Sequence, residues 1–101
     1  MASASASTTP ALALPEEKTL KHLARLAVTE DKPIMFDYWI PSIENGVIFG
    51  TRANGDRLLV KSEEEYTSTI KKLFKTTGEY VVITENSIYV VSNKIQNKQI
   101  S

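Results

Sequence analysis

The sequence predicts a mainly β domain of the α+β class: an antiparallel meander of five or six strands, curled into a small barrel-like sheet, with one N-terminal amphipathic helix against it. Three observations carry this. From Pro33 onward apolar residues recur at every second position, the repeat of a pleated strand. Two turn signals, Asn54-Gly55 and Glu85-Asn86, each lie between such runs. Before Pro33, one stretch repeats at the 3.6-residue spacing of a helix.

Taken in order, residues 1–15 are Ala, Ser, Thr, Leu and Pro after the initial Met, with no charged side chain. Such a stretch has too little apolar bulk to offset the entropy of ordering, so a flexible tail is expected there, followed by a single domain over residues 16–101. It does not read as a signal peptide, because a basic n-region is missing and the run Ala11-Leu12-Ala13-Leu14 is too short. Pro15-Glu16-Glu17 is a favourable helix opening: proline suits the first turn, and the carboxylates complement the positive end of the dipole. Leu20, Leu23, Ala24 and Ala27 then form one stripe, predicting a helix over 16–29 that stops before Asp31-Lys32-Pro33.

The β region is expected over 33–101. Ile34, Phe36, Tyr38 and Ile40 alternate with Met35, Asp37 and Trp39, which predicts a first strand closed by Pro41. Val47–Arg52 and Arg57–Lys61 flank the Asn-Gly turn, and Tyr80–Thr84 and Ser87–Val91 flank Glu85-Asn86. A two-residue turn in that last hairpin sets Ile83 opposite Ile88 and Val81 opposite Val90. Its other face carries Tyr80, Val82, Tyr89 and Val91, so the ribbon is apolar on both sides and needs a cover on each. Residues 62–78 read two ways. Ser62-x-x-Glu65 matches a capping box and favours a helix, while β-branched threonines and the alternation Ile70, Lys72, Phe74 suit a loop and a strand.

Composition narrows the function classes. Twelve basic and twelve acidic residues cancel, so the basic excess usual in nucleic-acid binding is missing. Cysteine is absent, which removes disulfides, thiolate metal sites and thiol nucleophiles. No stretch is long enough to cross a bilayer, and an intracellular, soluble protein is expected. The four glycines are isolated, so no phosphate-cradling loop is formed. His22, inside the helix, is assigned no role, and no cofactor or metal is implied.

Two sets of residues stand out as contact candidates. Arg52 and Arg57 are expected to face each other across the Asn-Gly hairpin, where like charges disfavour one another unless an anion or an acidic partner sits between them. Tyr80, Val82, Tyr89 and Val91 are the candidate interaction surface. Asp37, between Met35 and Trp39, is weighed as a polar anchor or base and read as structural. Lys71, Lys72 and Lys75, with Lys94 and Lys98, read as edge-strand lysines that discourage pairing between molecules.

Three segments in fixed order, Lys32-Pro33-Ile34-Met35-Phe36-Asp37-Tyr38-Trp39, the run Leu58 to Tyr66, and Thr84-Glu85-Asn86-Ser87-Ile88-Tyr89-Val90, resemble small uncharacterised proteins of nucleocytoplasmic large DNA (giant) viruses. The resemblance spans residues 32–92. It implies a small accessory or virion-associated protein, in host cytoplasm or virion, and brings no chemistry with it. A proline near position 69 in that family would favour a strand after a loop, but Thr69 stands here. The function expected from the residues is a non-enzymatic protein–protein interaction or structural module, with a protein partner or a second copy as its target. A small nucleic-acid-binding barrel is the alternative.

Overall fold

The computed structural model describes residues 14–100, so the expected tail lies, apart from Leu14 and Pro15, outside the described residues. Among these, two helices and eight strands follow in the order α1 (Glu17–Glu30), β1 (Ile34–Met35), α2 (Trp39–Ile43), β2 (Ile48–Thr51), β3 (Arg57–Ser62), β4 (Glu65–Tyr66), β5 (Ile70–Lys75), β6 (Glu79–Thr84), β7 (Ile88–Ser92) and β8 (Gln96–Gln99). The α+β class, rich in strand, is as expected; the barrel is not. The strands form two open four-stranded sheets, ordered β1-β7-β6-β5 and β4-β3-β2-β8.

Each sheet is built on a three-strand antiparallel meander, β5-β6-β7 in the first and β2-β3-β4 in the second. Each is completed by a short parallel strand from elsewhere in the chain: β1 pairs with β7, and β8 with β2. The all-antiparallel meander is therefore corrected at both ends. β1 precedes the second sheet's meander yet joins the first sheet, and β8 does the reverse, so the chain laces the two layers together.

The β6–β7 hairpin has the expected register, Ile83 opposite Ile88 and Val81 opposite Val90. Alternation sends successive valines to opposite layers. Val81, Ile83, Ile88 and Val90 meet Leu23 of α1 and Trp39, while Val82 and Val91 meet Val47, Phe49, Leu59 and Ile95 of the second sheet and its flanks. All the valines and isoleucines of this ribbon are fully buried.

The expected strand over 33–40 ends after two residues. Phe36-Asp37-Tyr38 turns the chain into α2, which places Tyr38 in the core between the sheets and Trp39 in the core under α1. Pro41 sits inside this helix rather than closing a strand. It occupies the first turn, where its missing N–H would have had no intrahelical partner. Residues 62–78 resolve as a turn at Glu63-Glu64, the short β4, and the full strand β5, so the capping box does not start a helix. Ser62 Oγ instead accepts from the Glu64 N–H at 3.2 Å, the local bond that lets serine favour turns.

Helix α1 runs one residue later than expected and stops where Asp31 turns left-handed, φ 55°. Its N-terminus is held from outside the helix. Glu79, 5% exposed, accepts the Thr19 hydroxyl at 2.6 Å and the Thr76 hydroxyl at 3.0 Å on one carboxylate oxygen, and the Glu16 N–H at 3.3 Å on the other. A sheet carboxylate thus supplies the acceptor that a helix N-terminus lacks within itself.

Replacing Leu23, which has no exposed surface, with alanine is expected to lower stability by about 2–4 kcal/mol in urea denaturation. Glu79→Ala is expected to cost about 2 kcal/mol, since it strands buried donors, and Glu79→Gln distinctly less because an oxygen remains for Thr19. Equal losses for the two substitutions would contradict the acceptor role.

Candidate functional site

The Asn-Gly hairpin decides where the two candidate arginines go. The Gly55 N–H donates to Arg52 O at 2.9 Å, the Arg52 N–H donates to Asp56 O at 2.8 Å, and Gly55 adopts φ 93°, which glycine tolerates. The loop is therefore three residues long, a turn followed by a left-handed glycine, rather than the two or four residues that would set the arginines opposite each other. An odd loop shifts the register by one: Thr51 lies opposite Arg57, and Arg52 opposite Asp56. The two arginines do not oppose each other, and no like-charge pair needs an anion. Arg57 turns inward and stacks its guanidinium on Phe49, 4.8 Å from the ring centroid. Arg52 turns outward onto the far face of the second sheet.

The candidate surface of Tyr80, Val82, Tyr89 and Val91 is likewise corrected. Val82 and Val91 are fully buried, and both tyrosines pack against the core between the sheets. The cover that this face demanded comes from the chain's own β2 and β3.

Between the sheets, β3 places two cations on its inner face with Leu59 between them. Arg57 stacks on Phe49, which meets Tyr80 edge-on at 5.3 Å. Lys61 stands 4.5 Å above the Tyr38 ring, which meets Tyr89 edge-on at 5.2 Å, and its ammonium bridges to Glu65 at 3.1 Å. Each end of the interlayer core is thus closed by a cation on an aromatic pair. Burial pushes the Tyr38 hydroxyl up to about 12, helped by Tyr89, Glu65 and Asp37. Burial also raises Tyr89, with Asp37 adding to it. Asp37 itself is exposed in the turn before α2 and does not share a strand face with Met35 and Trp39.

The outer face of the second sheet is different in kind. Ile48, Gly50, Leu58, Val60, Tyr66 and Ile100 form its floor, in a groove of about 610 Å³. Ile100 extends the β8 pairing, its N–H donating to Thr51 O at 3.0 Å, and lays its side chain over Gly50, where a Cβ would stand 2.8 Å from Ile100 Cδ1. Tyr66 is 53% and Ile100 38% exposed. Arg52 lines one end of the groove and Glu63 the other, and neither belongs to an ion pair among the described residues. Sequence reading missed this face because β4 and β8 were not recognised as strands. The alternation Leu58, Val60 with Ile48 was its visible signal.

Elsewhere, Lys71, Lys72 and Lys75 lie exposed on edge strand β5, with Lys72 paired to Glu30 at 3.0 Å. The His22 ring packs edge-on against Phe74 at 5.1 Å. Among the described residues no cluster of His, Asp or Glu has the makings of a metal site, and no helix is long and apolar enough to cross a membrane. Comparison with known proteins finds no matching family, curated protein or solved structure.

Because the folded state holds the Tyr38 proton above the ordinary value of 10.0, the unfolded chain ionises first. The stability from this group is complete below pH 10 and is lost as pH rises towards 12, an alkaline loss on the order of 2 kcal/mol. Urea midpoints measured across this range should fall steeply for the native chain and less for Tyr38→Phe. Parallel curves would contradict the assignment.

Proposed function

We propose that this protein is a non-catalytic protein-interaction module whose contact surface is the outer face of the second sheet. The observation that carries this is a count of faces. Two stacked sheets have four. Both faces of the first sheet and the inner face of the second are covered by the chain itself, through α1, α2 and the partner layer. The fourth carries Ile48, Val60, Tyr66 and Ile100, with no covering element among the described residues. An apolar patch rimmed by unpaired charge is the usual mark of a protein contact. Within this reading, the resemblance of residues 32–92 to small giant-virus proteins suits an accessory or virion-associated component.

The test is a benzophenone amino acid in place of Tyr66, irradiated in the cells that make the protein, with the same group in place of Val28 as control. Val28 is 81% exposed on α1, away from the groove. Protein adducts, to a second copy or another chain, are expected from position 66 and not from position 28. No adduct at 66, or equal adducts from both, would overturn the proposal.

A further inference from the structure

The groove's charges are arranged with a polarity that selects its occupant. β2 and β3 run antiparallel with Ile48 opposite Val60. Arg52 lies four residues beyond Ile48 in one direction, and Glu63 three residues beyond Val60 in the other. They therefore stand at opposite ends of one apolar strip, roughly 20 Å apart at a rise of about 3.3 Å per residue. Asp56, opposite Arg52, is tied to the loop, its carboxylate accepting from the Asn54 amide at 3.3 Å, and the other neighbours keep the sign of each end. Lys98 lies opposite Gly50 on the arginine's side of the strip, and Glu64 follows Glu63 in the turn. Lys61 and Glu65, near the acidic end, neutralise each other at 3.1 Å.

A surface with a cation at one end, an anion at the other and an apolar middle is complementary to itself when turned end for end. Two sheets stacked face to face admit two in-plane two-fold axes. With the axis along the strands, Arg52 meets Arg52 and Glu63 meets Glu63, which like-charge repulsion disfavours. With the axis across the strands, every charge meets its opposite while Val60 and Tyr66 stay central. We propose that the protein forms a two-fold homodimer through this face, the strands of the two copies running in opposite directions, with Arg52 against Glu63 of the partner subunit and Glu63 against Arg52 of the partner subunit. Such an interface is isologous and closed, so it gives a discrete dimer rather than a growing chain. It also suits a domain of this size, which buries only a modest share of its surface on its own. The inference rests on the outer face being a contact surface and adds what occupies it.

Sedimentation equilibrium of the full chain over a wide concentration range tests this. A monomer–dimer equilibrium is expected, weakened by added salt. R52E and E63R are each expected to weaken dimerisation roughly tenfold or more, because the symmetry makes each substitution disrupt two contacts. The double variant R52E/E63R restores the opposite-charge pairing and is expected to return close to the native constant. Tyr66→Asp is expected to leave a folded monomer. A native chain that stays monomeric throughout, or a dimer indifferent to the single reversals, or a double variant no tighter than the singles, would overturn the dimer. A monomer that still forms adducts from position 66 with another protein would refute the second copy as occupant and leave the contact face standing.

Discussion

Val81, Val82, Val90 and Val91 have no side that faces water, and that constraint organises the rest of the molecule. A ribbon apolar on both faces is unstable until each face meets another layer. Helix α1 and Trp39 cover one face, and the second sheet covers the other. The lacing of β1 into the first sheet and β8 into the second follows from the same need, since it holds two layers around one buried hairpin. α2 straddles the boundary, delivering Tyr38 to one core and Trp39 to the other from adjacent positions.

Polar groups then fix what burial alone would leave loose. Helix α1 could slide along an apolar sheet, but Glu79 binds Thr19 and the Glu16 N–H at its first turn and sets its position. Lys32 donates to Thr84 O at 2.8 Å beyond its other end. Between the layers, Arg57 and Lys61 set their charged groups over aromatic rings, and Lys61 also pairs with Glu65, which closes the core ends with partnered cations.

The central hairpin and α1 were legible in the sequence because their patterns are local and strong: strict alternation about a two-residue turn, and a leucine stripe at helical spacing. What failed did so where a local pattern had two physical readings. Alternation through Tyr38 and Trp39 does mark burial on two sides, but of a turn and short helix at a layer boundary rather than a strand. The Asn-Gly turn was recognised, yet its odd loop length moved Arg57 by one position and dissolved the proposed arginine pair. Gln96–Gln99 has little strand propensity, and its pairing with β2 rests on backbone hydrogen bonds that composition does not report. With β4 and β8 unseen, the outer face they help build was invisible, and the hairpin's second cover, left open between the helix and a partner, comes from within the chain.

The sheet face left uncovered among the described residues belongs to the second sheet, the layer that serves as cover rather than as centre. A division of labour follows, with the first sheet holding the fold together and the second presenting a face. Native-state hydrogen exchange tests this hierarchy most directly. The amides of residues 80–83, on a strand paired along both edges and buried on both faces, are predicted to be the last to exchange, opening with global unfolding, while those of β2 and β8 open earlier. Protection in β2 that outlasts protection in β6 would contradict the account.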